Sequence, residues 1–366
     1  MVSEFNMSVQ AQIIWNSILC INERSITMGK KKKQHYVPQC YLENWSIPKT
    51  HQLYVYDKIQ QKIRKSNITD CASENYFYDF KFDKDLSMDV MKMIGCSVKS
   101  YPESFDDKQY IENYFSDQIE GKYKKYLEEI IEKVRSWSLW QLKNCYFISE
   151  EEKRIFSFFM AIQYIRVKSV REMLFDATNC LEQVLTEMDA PPEVIKKYCV
   201  DKLKLSNIHK EMILNQNEIK HLSGIFSNYV WILRINRTNN VFFTSDNPIG
   251  VIPHKHHPYI STAGLQSEGV EICFPISPKI MLSMFEKKYH CMLAKYDRRI
   301  SDMENDEDVE YYNKICAQQS TRCIFSCDDE FSSIERVLKK NPSALNRPQT
   351  IIEWAGKTFI PNKLQN

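Results

Sequence analysis

Polar side chains that could bind an anion and transfer protons occur within otherwise apolar segments of the sequence. His35 precedes Pro38 in an extended stretch, and a neutral imidazole there could donate or accept a proton near pH 7. Glu120 lies at the margin of an apolar helix face, where an unpaired carboxylate could serve as a general acid or base. Gln163 and Arg166 lie in a helix that is apolar on nearly every side. These residues are candidates for one polar site, although each could equally hold the fold together through hydrogen bonds.

Arg166 requires a partner, because its helix has no polar face toward which a guanidinium could turn. When a buried charge loses its partner, the cost is on the order of 3 to 5 kcal/mol. We therefore expect Arg166 to be buried and to face Glu120 or Asp246. The structural interpretation is a buried ion pair. The functional interpretation is a planar clamp for phosphate or carboxylate.

Asp246 is the candidate carboxylate in the second half of the chain. It follows a short predicted strand, within the sequence Thr-Ser-Asp-Asn-Pro. A strand end is a common position for a catalytic carboxylate, but Asp also forms turns that satisfy backbone groups. We expect Asp246 and His35 to approach each other in the fold. Ser245 lacks the Gly-x-Ser-x-Gly context of a hydrolase nucleophile, which argues against a serine triad.

Familiar cofactor motifs are missing from the sequence. There is no P-loop, no Gly-x-Gly-x-x-Gly and no His-Glu-x-x-His, so nucleotide-cofactor binding and zinc-protease chemistry have no support. His254, His256 and His257 invite a zinc interpretation. However, neighbouring residues point to opposite sides of an extended chain and no paired cysteines complete a site, so a solvated loop is favoured.

Composition limits the partners and the compartment. The net charge of +2 over 366 residues provides no general field for nucleic acid, so such binding would need a local patch. Residues 30–33 and the helix that carries Lys122, Lys124 and Lys125 are the candidates, with solvated faces as the alternative. Twelve cysteines without paired spacing, and no signal peptide, predict reduced thiols and a cytoplasmic location. The apolar segment 11–21 is too short to span a membrane.

Hydrophobic periodicity predicts an α+β fold, in which a helical half (about 109–222) packs on a mostly antiparallel sheet. That sheet is built from an N-terminal hairpin (52–66) and from strands within 228–326, predicted at 229–235, 241–244, 270–274, 280–285 and 323–326. Helices are predicted at 109–135, from Ser149 through 155–174, and at 179–187, 193–204, 206–222 and around 311–318. Residues 1–27 are expected to form a poorly ordered extension, 28–340 a single domain with the helical insertion, and 341–366 a C-terminal tail.

Several short motifs in a fixed order resemble a known family. Gln34-His35-Tyr36-Val37-Pro38-Gln39-Cys40-Tyr41-Leu42 is similar to its opening signature, His-x-Val-Pro-x-x-Tyr-Leu. The later motifs are Tyr56-Asp57-Lys58, Glu74 with Phe77-Tyr78, Gln163-x-x-Arg166, Thr244-Ser245-Asp246-Asn247-Pro248, Phe274-Pro275-Ile276-Ser277-Pro278, and Asn313 before Arg322. On this set, from Gln34 to Ser326, the chain is identified as a member of the bacterial family catalogued as domain of unknown function 4238. The family usually has Arg-x-Pro where this chain has Arg166-Val167-Lys168, so that corner is expected to differ.

The resemblance implies no reaction, so two functions remain open. The first is a nuclease-like hydrolase of phosphodiester bonds. In it His35, Glu120 and Asp246 are catalytic, Gln163, Arg166 and Asn313 bind substrate, and Mg²⁺ or Mn²⁺ is a candidate cofactor. Its partner would be nucleic acid or a phosphorylated small molecule. The second is a non-catalytic binding or sensor module, whose buried polar network fixes the fold.

Overall fold

The computed structural model describes residues 31–79, 109–256 and 263–361. Within these ranges helices and antiparallel strands are both abundant, and the predicted α+β class is confirmed. The predictions for residues 1–27 and for the loop 81–108 lie outside the described residues. No described helix is both long enough and apolar enough to cross a membrane.

The strands form two main sheets, where the sequence predicted one. They are β1 (Lys33–His35), β2 (Gln52–Asp57), β3 (Lys62–Asn67), β4 (Ser73–Asn75), β5 (Val230–Asn236), β6 (Thr244–Ser245), β7 (Gly250–Pro253), β8 (Val270–Ser277), β9 (Ile280–Phe285), β10 (Arg299–Met303), β11 (Cys323–Ser326), β12 (Ile352–Trp354) and β13 (Lys357–Phe359). One sheet has the order β10-β5-β9-β8-β7 and the other β3-β2-β11-β6, and only β10 and β5 are parallel. The predicted hairpin, β2 and β3, is confirmed, but it pairs with β11 and so belongs to the smaller sheet.

The helices follow the predicted periodicity but are more interrupted. They are α1 (Gln39–Leu42), α2 (Tyr110–Tyr114), α3 (Gly121–Ser136), α4 (Leu139–Asn144), α5 (Glu150–Arg166), α6 (Lys168–Glu187), α7 (Pro192–Tyr198), α8 (Lys202–Leu214), α9 (Gln216–Ser227), α10 (Asp306–Gln319) and α11 (Ser332–Lys340). A π-helical segment, Phe115–Glu120, joins α2 to α3. Asp201 and Asn215 each cap a following helix, which divides the helices predicted at 193–204 and 206–222.

The buried helix α5 begins and ends for identifiable reasons. Ser149 and Glu152 form the predicted capping box at its start. The predicted body 155–174 was too long, because Val167 adopts an extended conformation (φ −71°, ψ 154°) and separates α5 from α6. The Tyr78 hydroxyl donates a hydrogen bond to the carbonyl oxygen of Arg166 at 3.0 Å, which satisfies a backbone acceptor at this helix end. The corner therefore breaks the helix although position 168 is a lysine and not a proline.

The segment expected to be a C-terminal tail includes a small folded element. β12 and β13 form an antiparallel hairpin, and Phe359 packs with Cys180 and Val184 of α6. The Arg347 guanidinium donates two hydrogen bonds of 2.6 Å to the Asp176 carboxylate, also on α6. This hairpin therefore packs against the helical half.

Candidate functional site

Arg166, the last residue of α5, is the centre of a buried polar cluster. Its side chain is 1% exposed, and its guanidinium lies 3.9 Å from the centre of the Phe115 ring. The Nη2 atom donates to the Glu120 carboxylate at 3.2 Å and to the His35 carbonyl oxygen at 2.6 Å. Arg166 was predicted to be buried and to face Glu120 or Asp246; it is buried, and the carboxylate that it faces is Glu120.

The π-helical segment carries two residues that contact the Arg166 guanidinium, Phe115 and Glu120. Phe115 begins the segment and Glu120 ends it, so one local distortion carries the aromatic face and the carboxylate. Such single-turn distortions are frequent at functional sites. Glu120 is 27% exposed at its side chain, so the cluster meets solvent on this side. The continuous helix predicted at 109–135 did not anticipate this irregularity.

His35 is engaged at both ring nitrogens. Its Nε2 lies 3.1 Å from the Thr69 carbonyl oxygen, and its Nδ1 lies 3.3 Å from the Gln39 amide nitrogen. A carbonyl can only accept, so Nε2 carries the proton and Nδ1 accepts from Gln39. Burial lowers the pKa of His35, which favours this neutral form. In this arrangement the ring ties β1 to the neighbouring turn, while the main-chain carbonyl of the same residue binds Arg166.

Four buried polar atoms on Tyr123, Gln163 and Arg166 have no hydrogen-bond partner. The Gln163 side chain is 1% exposed, and neither its amide nitrogen nor its amide oxygen has a hydrogen-bond partner. The Arg166 Nε and the Tyr123 hydroxyl also have none. The Tyr123 ring stacks on Phe159, 5.4 Å between ring centres, one helical turn before Gln163. Each unpaired buried group costs about 1–3 kcal/mol, so this cluster carries a cost that a bound molecule or water could relieve.

Glu112, on α2, is a candidate that the sequence analysis missed. Burial raises its pKa to about 7, although the nearby positive charge of Arg166 opposes that shift. A carboxyl group with a pKa near neutrality can both accept and release a proton under cellular conditions. The one sequence signal for Glu112 is weak: the residue lies beside Ile111, which is buried. Glu112, Glu120, Tyr123, Gln163 and Arg166 together are called the Arg166 cluster below.

Asp246 has its hydrogen-bond partners in a separate place, at the start of β11. Its carboxylate accepts from the backbone N–H groups of Thr321, Arg322 and Cys323, at 2.7, 2.7 and 2.9 Å. Burial raises the pKa of this 2% exposed carboxyl, and the backbone donors oppose that shift. Asp246 and residues 321–323 are called the Asp246 cluster below. The charged neighbours of His35 include Glu120 and Arg166, while Asp246 interacts with Tyr36, the next residue along the chain.

Asn313, on α10, bonds to backbone. Its side-chain oxygen accepts from the Phe243 N–H at 2.9 Å, and its amide nitrogen donates to the Val241 carbonyl at 2.8 Å. These bonds hold residues 241–243, predicted as a strand, against α10 without a sheet ladder. The fold thus brings Glu120 and the His35 backbone to Arg166, and it places Gln163 one turn earlier on the same helix. It gives Asp246 and Asn313 backbone partners.

Metal ligands and surface lysines add little to the site. Across residues 31–79, 109–256 and 263–361, no group of three or more His, Cys, Asp or Glu side chains could hold a metal ion. Lys124 and Lys125 lie 3.5 Å and 3.8 Å from the carboxylates of Glu43 and Glu129, as expected for solvated ion pairs.

Comparisons with known proteins give one result. The sequence model of a family described as "Protein of unknown function (DUF4238)" matches residues 33–330. Searches of curated proteins and of solved structures returned no match. The match covers every residue of the Arg166 and Asp246 clusters and ends before the C-terminal hairpin.

Proposed function

Since the chain belongs to the DUF4238 family, whose description assigns no activity, we propose a function from its site: hydrolysis of phosphodiester bonds at the Arg166 cluster. The observation that carries the proposal is the set of unpaired buried atoms on Tyr123, Gln163 and Arg166. Buried polar groups are nearly always paired, so four unpaired atoms around one guanidinium mark a place where a ligand would gain hydrogen bonds. A phosphate group has oxygens that accept from all three side chains.

The proposed roles follow from chemistry and contacts. Arg166, Gln163 and Tyr123 donate hydrogen bonds to phosphate oxygens, and Arg166 also stabilises the negative charge that develops during attack. Glu112 accepts a proton from the attacking water, whose oxygen bonds to phosphorus as the ester P–O bond breaks. The leaving oxygen then takes up the proton. Glu120 and the His35 carbonyl position the guanidinium through the bonds at 3.2 Å and 2.6 Å.

This assignment revises two roles suggested by the sequence. His35 becomes a positioning residue, because both of its ring nitrogens are already engaged. Asp246 becomes a structural residue, because its carboxylate is saturated by backbone donors. Nucleic acid or a phosphorylated small molecule remains the proposed substrate, with Mg²⁺ or Mn²⁺ as a co-ligand of its phosphate. We also propose a cytoplasmic location, which the free thiols of the ten cysteines in the described ranges support.

The alternative function is a non-catalytic binding or sensor module. It is favoured by the backbone bonds of Asp246 and Asn313 and by the saturated ring of His35, which show that signature residues can serve the fold alone. In this case internal waters would satisfy the unpaired atoms of Gln163 and Arg166, as buried waters often do.

The test is a Glu112→Gln variant, which preserves shape and removes the ionisable group. Purified chain would be assayed against bis(p-nitrophenyl) phosphate, single-stranded RNA and DNA, with and without Mg²⁺ or Mn²⁺. We expect turnover to fall by about 10²–10⁴-fold, the usual contribution of a general acid or base. The matched control is Glu128→Gln, because Glu128 lies on α3 with a 62% exposed side chain.

Two results would contradict the proposal. One is a native chain that turns over none of these substrates in any metal condition. The other is an active chain in which Glu112→Gln and Glu128→Gln have the same rate as the native protein. Either result would favour the binding module.

A further inference from the structure

A second polar cluster lies on the five-stranded sheet, and the proposed function does not use it. His254 directly follows β7, and Glu271 lies in β8. The His254 backbone N–H donates to the Gly269 carbonyl at 2.9 Å, which places this histidine beside the start of β8. His290 follows β9, and its ring lies 5.2 Å from the His254 ring between centres, at an interplanar angle of 85°.

The Glu271 carboxylate fixes the tautomer of His254. Its Oε2 lies 2.8 Å from His254 Nε2, while its Oε1 accepts a hydrogen bond of 2.6 Å from the Tyr312 hydroxyl. A carboxylate in this position accepts the Nε2 proton, so the Nδ1 lone pair of a neutral His254 stays available. The Glu271 side chain is 4% exposed and that of His254 is 34% exposed, so solvent reaches the His254 ring while the carboxylate that binds it is buried.

His290 provides the second nitrogen. Its Nε2 is buried and has no hydrogen-bond partner. The Gly269 backbone, which accepts from the His254 N–H, lies beside the same ring. His254 thus has its Nε2 held by Glu271, and His290 has an Nε2 that no other group holds.

The geometry points to a binding site for one divalent transition-metal ion, held by His254 Nδ1 and His290 Nε2. Histidines that bind metals almost always donate their other N–H to a carboxylate or a backbone carbonyl, as His254 does here to Glu271. Two imidazoles bound at about 2.1 Å to one tetrahedral ion have ring centres about 5 Å apart, which agrees with the observed separation. No larger group of ligating side chains occurs in the described ranges, so water would complete the coordination.

Calorimetric titration of the tag-free, reduced chain with NiCl₂ tests the site, because imidazole suits Ni²⁺ and thiolates compete less than they do for zinc. We expect one equivalent to bind, with the affinity reduced at least about tenfold in His254→Ala and in His290→Ala. Glu271→Gln should weaken binding by about 10–100-fold, as outer-shell changes do. The control is His51→Ala, since His51 is exposed and precedes β2 of the other main sheet.

Two outcomes would overturn this site. The first is a native chain that binds no Ni²⁺, and the second is unchanged affinity in both histidine variants. Thermal melting of each variant shows whether it is folded. If an alanine variant is not folded, His254→Gln, which keeps a polar group at a partly exposed position, is titrated in its place. The site is independent of the Arg166 cluster, so failure of the hydrolase proposal would not affect this result.

Discussion

The Arg166 cluster and the Asp246 cluster each include residues of the family signature, but their signature side chains differ in how completely the polar atoms are paired. Asp246 accepts three backbone hydrogen bonds of 2.7–2.9 Å, and the unpaired atom of its cluster is the buried hydroxyl of Thr321. In the Arg166 cluster, by contrast, the whole amide of Gln163, the Nε of Arg166 and the hydroxyl of Tyr123 have no partner. A shared signature therefore does not imply a shared role.

The difference indicates where binding can occur. A carboxylate that accepts three backbone hydrogen bonds has little accepting capacity left for a ligand unless bonds of the fold break, and each broken bond is costly. Unpaired donors gain hydrogen bonds when a ligand arrives. The contrast between the two clusters can be tested by single substitutions that change stability, activity or both.

The largest loss of stability is expected from Asp246→Ala. This change leaves the N–H groups of residues 321–323 without their acceptor, and each unpaired buried donor costs about 1–3 kcal/mol. We expect the free energy of unfolding to fall by about 4 kcal/mol, measured by urea denaturation. Asp302→Ala is the control, because Asp302 pairs with Arg237 at the surface, where substitutions usually change stability by less than about 0.5 kcal/mol. Equal stabilities of the two variants would remove the structural role of Asp246.

The next effect concerns pH and Glu112. Its pKa of about 7 in the folded protein exceeds the usual value of 4.5, so the folded state binds the proton more tightly than the unfolded state. The associated stability is fully present below pH 4.5 and is lost as pH rises through about 7. We expect this loss to be roughly 3 kcal/mol. The Glu112→Gln variant should lack this pH-dependent loss of stability. Chemical denaturation measures the free energy of unfolding at each pH, and parallel curves for the native chain and the variant would contradict the raised pKa of Glu112.

Arg166→Met separates structure from function at the centre of the cluster. Methionine keeps an apolar stem against Phe115 and removes the donors to Glu120 and His35. Because Glu120 is partly exposed, water can hydrate its carboxylate, and we expect a loss of only about 2 kcal/mol in stability. Phosphodiester turnover should fall at least about 100-fold. A loss of 3 to 5 kcal/mol with normal activity per folded molecule would instead assign Arg166 to the fold alone.

The smallest effect, and the one of opposite sign, is expected from Gln163→Leu. This substitution removes two buried polar atoms that have no partner, so stability should rise by about 1 kcal/mol while substrate binding weakens. Ser157→Ala on the same helix is the control, because the Ser157 hydroxyl does donate a hydrogen bond, to the Lys153 carbonyl at 2.8 Å. The free energy of unfolding of Ser157→Ala should fall by about 1 kcal/mol, and its activity should be unchanged. A stability loss in both variants would show that Gln163 has a partner after all, such as an internal water.

Local signals explain which elements were predictable. The Ser149 capping box, the β2–β3 hairpin and the strands at 280–285 and 323–326 depend on residues close in sequence, and they match the structure. The division of the strands into two sheets was not predictable, because the pairing of β2 with β11 joins distant segments. β7 and β10 were also missed, since β7 is short and β10 carries mainly polar side chains.

The sequence by itself determined the fold class, the family and the need for Arg166 to find a partner, because a guanidinium on an apolar helix cannot remain unpaired. Only the tertiary structure decided which carboxylate that partner is, since Glu120 and Asp246 were equally available to sequence reasoning. It also decided that Asp246 is saturated by backbone and that Gln163 is not paired at all. Whether a buried polar atom finds a hydrogen-bond partner depends on how distant segments of the chain pack together. A sequence pattern shows only which residues each segment contributes to that packing.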